Sequence, residues 1–275
     1  MTQSIPTLNG IPALGYGTWP LKAAECTNSV LMALECGYRH IDTAQMYGNE
    51  AAVGAALRRS GLPRGGVFVV TKIAPENVGK RRFQQSLGRS LDDLGLDAVD
   101  LLLLHWPPRP DTAIDEAVDL LNEAVASKRT RMIGISNFNR RQMAQAVKRS
   151  AAKIVTNQVE YHPLIDQQAV REAAAGHGIV LTAYASIARG AVLDHPAIVG
   201  IASAHAVTPA AVVLRWIVDT GVVALAMTTK RQNAIGNLAA AEIALSTEEM
   251  AAITKITHGN KRLISPDAWA PDWTQ

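Results

Sequence analysis

The sequence predicts an α/β protein of the (β/α)8 TIM-barrel class, and three observations carry that reading. Eight short, largely apolar runs recur along the 275 residues. Segments that space Leu, Val and Ile as a helix would lie between them, and polar titratable residues stand at the ends of three consecutive runs. Short runs that are apolar on both faces suit parallel strands covered by helices. A barrel of this kind takes about 250 residues, so residues 1–275 are expected to form a single domain. Eight strand–helix alternations close into a parallel barrel more readily than they open into a doubly wound sheet.

The first element is a hairpin. Thr7-Leu8-Asn9-Gly10-Ile11-Pro12 carries the Asn-Gly pair that tolerates the positive φ of a tight hairpin turn, and it is expected to cap the N-terminal end of the barrel. Ala13–Gly17 is the first barrel strand, and a helix containing Cys26 and Cys36 follows it. The remaining strands are Arg39–Asp42, Val67–Thr71, Val99–Leu104, Arg131–Ile135, Ile154–Val159, Ile179–Ala183 and Val222–Ala226. Between them, Ser86–Leu94 and Ile114–Val125 repeat apolar residues three or four apart, the pattern of a helix that packs one face on a sheet. The tail His258–Gln275 is rich in Pro and Trp without a helical period, and is expected to lie near the active-site face.

Composition excludes several function classes. With 48% hydrophobic and 19% charged residues, the chain can bury a large core and has no signature of disorder. A net charge of +3 is spread thinly; the clusters Lys80-Arg81-Arg82 and Arg140-Arg141 are short and read as solvated helix faces, so no nucleic-acid partner is expected. Cys26 and Cys36 stand ten apart on one helix, cannot bridge there, and lack metal-ligand spacing. They are read as reduced thiols of a cytoplasmic protein. Met1–Gly10 has no basic segment leading into an apolar one, and Ala206–Met227 is broken by Pro209, Arg215 and Asp219. Neither a secretion signal nor a membrane span is therefore expected, and the protein is expected to act as a monomer.

The placement of polar residues suggests chemistry. Asp42 closes the second run, Lys72 follows the third and His105 the fourth, roughly thirty positions apart, about one βα unit each. All three should converge at the C-terminal ends of adjacent barrel strands, where such folds place their active sites, with Tyr47 supplied by the loop after Asp42. Singly, each has a structural explanation: a turn cap, an ion pair, a core histidine, a packing ring. Their conjunction is what points to a site. Carbonyl reduction needs a proton for the oxygen as hydride reaches the carbon. A free tyrosine, with a pKa of about 10, is a weak donor, and a neighbouring cation lowers that value. Tyr47 is accordingly assigned as general acid, Lys72 as the cation, Asp42 as the carboxylate that orients it, and His105 as a donor to the substrate oxygen.

These residues lie in recognisable company. Gly37-Tyr38-Arg39-His40-Ile41-Asp42-Thr43-Ala44-Gln45-Met46-Tyr47-Gly48-Asn49-Glu50, Thr71-Lys72, Leu104-His105-Trp106-Pro107 and Gly134-Ile135-Ser136-Asn137-Phe138 together resemble the signatures of the aldo-keto reductase family, over nearly the whole chain. The resemblance places that family's Asp-Tyr-Lys-His tetrad on Asp42, Tyr47, Lys72 and His105, and implies NADPH-dependent reduction of small aldehydes and ketones. Thr229-Lys230-Arg231-Gln232-Asn233 and the tail segments Lys261–Pro266 and Ala270–Trp273 are similar to the bacterial 2,5-diketo-D-gluconate reductase B branch, whose members also reduce methylglyoxal.

The same resemblance implies a cofactor site. Ser136, Asn137 and Gln158 would hold the nicotinamide carboxamide and Tyr184 would stack on the ring, although Ser136 and Asn137 also read as a cap before the next helix. The loop Ser186–Gly190 would meet the phosphates. So would the start of the helix after the last strand, with Thr228, Thr229, Lys230, Arg231, Asn233 and Asn237. Here the sequence departs from the family. Ala226, Met227, Thr228 and Asn233 stand where Pro-Lys-Ser and a following Arg usually grip the 2′-phosphate, and Lys230 and Arg231 are the replacements on offer. NADPH is expected, with NADH use open. Gly15-Tyr16-Gly17-Thr18-Trp19-Pro20 is no dinucleotide fingerprint, since Pro20 occupies the place of its third glycine.

Trp19 and Trp106 are expected to wall a shallow substrate pocket suited to small polar carbonyls. Two further readings stay open on the residues alone: an NADPH-binding redox-sensing regulatory subunit, and a metal-dependent hydrolase using His40 and His162. The second lacks HxH or HExxH spacing, and no metal is expected.

Overall fold

A computed structural model of the chain describes residues 5–109 and 112–275. It opens with β1 (Thr7–Leu8) and β2 (Ile11–Pro12), paired antiparallel. Asn9 and Gly10 turn between them with φ of 48° and 80°, the doubly positive combination that the Asn-Gly pair accepts. The barrel strands are β3 (Leu14–Gly17), β4 (His40–Asp42), β5 (Phe68–Ile73), β6 (Val99–Leu104), β7 (Thr130–Ser136), β8 (Ile154–Glu160), β9 (Val180–Tyr184) and β10 (Val222–Ala226). They close in the order β10-β3-β4-β5-β6-β7-β8-β9, all parallel. Around them run α1 (Ala23–Cys36), α2 (Glu50–Arg59), α3 (Lys80–Leu94), α4 (Ile114–Ala126), α5 (Arg140–Arg149), α6 (Gln168–Gly176), α7 (Pro196–Ala204), α8 (Pro209–Asp219), α9 (Arg231–Leu238) and α10 (Thr247–Ile256).

Strand side chains alternate between two cores. Ile41, Val69, Leu102 and Ile133 point outward to the helices, joining Phe83, Leu87 and Leu91 of α3 and Val118 and Leu121 of α4. Val70, Leu101, Leu103 and Val223 point inward and pack with Ile11 and Leu8 of the hairpin. The hairpin therefore plugs the barrel's lower end, and Asn9 Nδ2 fastens it by donating to Val155 O (3.2 Å) and Gly178 O (2.9 Å). Interior space is tight. A Cβ on Gly15 would stand 2.5 Å from Leu225 Cδ2 and 2.6 Å from His40 Nδ1, and one on Gly134 would stand 2.6 Å from Leu103. Gly134 also lies where the β7–β8 register shifts.

The same alternation aims the chemistry. Since Val70 faces inward, so does Lys72 two residues on, within β5 and not beyond it as the apolar run alone indicated. Likewise β7, β8 and β9 outlast their apolar runs by Ser136, Glu160 and Tyr184. Helix α3 starts at Lys80, a turn and a half before the predicted segment, because its first residues are polar and apolar spacing begins only at Phe83.

Cys26 and Cys36 are both free thiols on α1. No single helix among the described residues is long and apolar enough to cross a membrane. Beyond α10 the tail lies over the strands' C-terminal ends. Lys261 N donates to Leu164 O (2.6 Å), and Leu263 N and Ile264 N donate to the buried Glu160 carboxylate (2.7 and 2.8 Å). Asn139 Nδ2 donates to Asp272 O (2.9 Å) at the far end, and Trp273 packs edge-on against Trp106, ring centres 6.5 Å apart.

Candidate active site

Asp42, Lys72 and Tyr47 form one connected group. Lys72 is completely buried, and its ammonium has three hydrogens to place. Its Nζ donates to Asp42 Oδ1 at 2.5 Å, Thr43 O at 2.9 Å and the Tyr47 hydroxyl at 3.3 Å, so none is left over. Asp42 Oδ2 accepts from Gln158 Nε2 at 2.8 Å. Tyr47 ends a 3-10 turn, Gln45–Tyr47, that closes on Gly48 at φ 61°. Its ring meets the His105 ring edge-on, centres 5.4 Å apart.

The loop carrying Tyr47 is braced by residues that sequence reasoning did not single out. Gln45 Oε1 accepts from Ala74 N (3.0 Å) and Asn77 Nδ2 (2.8 Å). Asn49 accepts from Thr43 Oγ1 (2.6 Å) and donates to Thr18 O (3.1 Å) and Leu21 O (3.0 Å). Both lie inside the Gly37–Glu50 motif, whose polar residues were the available signal.

Electrostatics corrects one expectation. Burial pushes the Tyr47 phenol up from its ordinary value of 10.0; Lys72 pulls it down and Asp42 adds to the rise, and the net direction is upward. The cation is in place, but loss of hydration outweighs it. Burial also works to lower the Lys72 ammonium, yet Asp42 and then Tyr47 outweigh it and hold the group above the ordinary lysine range. Burial, reinforced by Lys72, draws His105 well below 6.5, so its imidazole is neutral. Its Nδ1 is buried without a partner among the described residues.

A cavity of about 400 Å³ opens beside this group. Asp42, Tyr47, His105, Trp19, Trp106, Asn137, Gln158, Tyr184 and Ser186 all line it. Lys72 stands behind Tyr47, and Ser136 is buried behind Asn137, donating through Oγ to Gln158 O at 2.8 Å. Asn137 Nδ2 holds His105 O (2.9 Å) and its Oδ1 accepts from the Tyr184 hydroxyl (2.7 Å). Asn137 itself has φ 63°, so it does not cap the next helix; Asn139 does, in a capping box with Gln142.

Thr228–Asn233 continue from Ala226 and Met227, which line the cavity. Thr229, Lys230, Arg231 and Asn233 are exposed, and α9 begins without a side-chain cap at Lys230. Arg231 is engaged with the Glu35 carboxylate of α1. Asn237, near the end of α9, is buried, unlike the exposed Thr229, Lys230, Arg231 and Asn233. His40 and His162 are far from forming one site. His40 sits inside the barrel on Pro12 O (3.0 Å), while His162 bonds Glu160 (2.8 Å) under the tail. Among the described residues no three His, Cys, Asp or Glu cluster as metal ligands.

Residues 9–258 match the Aldo/keto reductase family. The chain is similar to methylglyoxal reductase DkgB of Escherichia coli O157:H7, at 43% identity over 265 residues, covering 96% of this chain and 99% of that protein. It is also similar to an aldo-keto reductase of Mycobacterium sp. (strain MCS), at 40% identity over 261 residues, covering 95% and 92%. Among solved structures, one provisionally assigned as a 2,5-diketo-D-gluconic acid reductase B superposes with a TM-score of 0.94 at 44% identity, covering 96% of this chain and 94% of that one. The aldose reductase from Schistosoma japonicum gives 0.89 at 27% identity, covering 95% of each.

Proposed function

Because the chain belongs to the aldo/keto reductase family, and is thus an oxidoreductase of small carbonyl compounds that works with NAD(P)H, we propose that it reduces small aldehydes and ketones with NADPH and that Tyr47 delivers the proton. The observation that carries this reading is the Tyr47 hydroxyl, 3.3 Å from a fully buried ammonium, beside a neutral imidazole, on the wall of one cavity.

The residues fit such a cofactor. The amides of Asn137 and Gln158 and the ring of Tyr184 face the cavity. The uncapped start of α9 leaves backbone N–H groups for a phosphate, with Lys230 and Arg231 beside them. Bound there, the nicotinamide would supply the hydride. The protein's share is positioning and proton transfer. Tyr47 and His105 each hold an N–H or O–H toward the carbonyl oxygen, which draws negative charge onto that atom as the hydride arrives. Tyr47 then gives up its proton, and Lys72, held by Asp42, stabilises the phenolate left behind. Gln158 keeps Asp42 turned toward Lys72.

Methylglyoxal and keto-sugar acids such as 2,5-diketo-D-gluconate are the proposed substrates. Support comes from the names of the relatives and from a cavity near the lower end of the roughly 300–1,000 Å³ typical of small-molecule sites. The proposed 2′-phosphate grip is Lys230 with Arg231, for which Glu35 competes. The enzyme is taken to work as a single-domain cytoplasmic monomer; its two unpaired thiols suit a reducing compartment.

The test is NADPH consumption across a panel of aldehydes and keto acids, with Tyr47→Phe alongside. Loss of a general acid costs about 10²–10⁴-fold, so kcat/KM should fall at least a hundredfold while NADPH still binds. Survival of most of the rate would overturn the assignment of the donor.

A further inference from the structure

One buried hydroxyl has no part in the proposed mechanism. Tyr16 is fully buried on β3 and does not line the cavity. Its neighbours face inward: a Cβ on Gly15 would meet Leu225 and His40, and Gly17 lines the cavity. The Tyr16 ring therefore points out into the helix layer, where it meets the Tyr38 ring edge-on, centres 5.5 Å apart. Phenylalanine would fill that space equally well. The hydroxyl is what packing leaves unexplained, since burying one costs free energy unless it finds a partner.

The partner is a main-chain carbonyl just past the neighbouring strand. Tyr16 is in register with Ala226 of β10, and its hydroxyl donates to Thr228 O, two residues further on, at 2.5 Å. Burial pushes the phenol up to about 12, so the donated hydrogen is in place throughout the neutral range. Thr228 is held a second time, because its Oγ1 accepts from Lys230 N at 3.2 Å. Beyond this turn α9 begins, with no side-chain cap for its first N–H groups. Met227, Thr228, Thr229 and Lys230 include no proline whose ring would fix the backbone, and Thr229 and Lys230 are exposed. The turn leans on these two hydrogen bonds and, past it, on the exposed pair of Arg231 with Glu35. Of the three contacts, the Tyr16 bond alone is rooted in the core.

We propose that Tyr16 is a positioning residue for the cofactor: by holding Thr228 O from the helix layer, its hydroxyl fixes the turn into α9 before a nucleotide arrives, with the N–H groups there already aimed at a phosphate. Tyr16 touches neither cofactor nor substrate and acts through the turn. A turn ordered beforehand has less conformational freedom to lose on binding. The proposal rests on the reading of the start of α9 as a phosphate site.

Tyr16→Phe in the full chain removes the hydroxyl and keeps the ring. Tyr161→Phe is the matched control, since Tyr161 is a buried phenol whose hydroxyl donates to Thr220 Oγ1 at 3.1 Å, at the end of α8. Calorimetry measures binding of NADPH and of adenosine 2′,5′-bisphosphate; steady-state kinetics with methylglyoxal measures kcat and both KM values. Tyr16→Phe should weaken both nucleotides about three- to tenfold and raise KM for NADPH in step. At saturating NADPH, kcat and KM for methylglyoxal should stay within twofold. Tyr161→Phe should leave nucleotide binding unchanged, although each variant loses one buried hydrogen bond and some thermal stability. A Tyr16→Phe protein that binds both nucleotides within twofold of the wild type overturns the proposal, whatever its melting temperature, and makes the hydroxyl a support of the fold alone. Equal weakening in Tyr161→Phe overturns it too, because general loosening would then account for the effect. The binding arm decides whether or not methylglyoxal is turned over. A wild type that binds neither nucleotide refutes the cofactor reading and the proposal with it, an outcome visible before any variant is made.

Discussion

Lys72→Met removes a buried cation while keeping a side chain of similar length, and the contacts around Nζ determine what is left behind. Asp42, 2% exposed, keeps only the Gln158 amide; Oδ1 and Thr43 O lose their donor. Removing one partner of a buried ion pair costs about 3–5 kcal/mol, because the remaining charge is desolvated and uncompensated. Total stability is typically about 5–15 kcal/mol, so this is a large share. At roughly 2–4 °C per kcal/mol for chains of this size, the melting temperature should fall by about 6–20 °C. Asp42→Leu combined with Lys72→Met leaves no charge behind and should recover most of that loss. The assay is urea unfolding at pH 7 of the wild type, both single variants and the double variant, with NADPH-dependent turnover measured on each. Stability should be non-additive by at least about 2 kcal/mol, while turnover stays low in every variant lacking Lys72. A Lys72→Met protein that loses less than about 1 kcal/mol, or a double variant whose loss equals the sum of the singles, would refute the reasoning.

Gly15→Ala should cost about 1–3 kcal/mol through overpacking, because the new Cβ meets Leu225 and His40 inside the barrel. Gly17→Ala, on the same strand with nothing within 4 Å, is the control, and equal melting temperatures would contradict the packing account. Burial lowers both His40 and His105 from 6.5, so below that pH the unfolded chain takes up protons that the folded one refuses. Their contribution is intact above about pH 6.5 and declines as pH falls, by at most about 1.4 kcal/mol per pH unit for each ring; urea midpoints at pH 7.5, 6.5 and 5.5 should show it, and His105→Gln should flatten the slope. Lys230→Ala with Arg231→Ala should abolish preference for NADPH over NADH in kcat/KM. An unchanged ratio would remove both residues from the 2′-phosphate site.

The barrel was legible because its strands are apolar on both faces, and the site was legible because polar residues interrupt that pattern at the strand ends. The same interruptions made the strands read short: Lys72, Ser136, Glu160 and Tyr184 belong to ladders that apolarity alone ends early. What stayed hidden are contacts between distant segments. Nothing local indicates that Gln158 reaches Asp42, that Glu160 receives the tail amides of Leu263 and Ile264, or that Glu35 occupies Arg231. The direction of the Tyr47 shift was hidden for a related reason. Proximity to Lys72 can be read from spacing, but the depth of burial that outweighs it is a property of the closed barrel.

That upward direction bears on how a tyrosine can serve the proposed chemistry. A phenol whose pKa is raised above 10.0 remains protonated throughout the neutral range, so the donor form is present at every turnover. An alkoxide is about as basic as hydroxide and a far stronger base than a phenolate, so transfer from the phenol to it stays downhill despite the rise. Alcohol oxidation asks the same group to start as phenolate, which neutral pH leaves scarce. Lys72 therefore matters less for generating the ionised tyrosine in the resting protein than for stabilising it at the moment the proton leaves. On the proposed assignment the group favours reduction at neutral pH, and oxidation should gain rate as pH rises while reduction holds level through the neutral range.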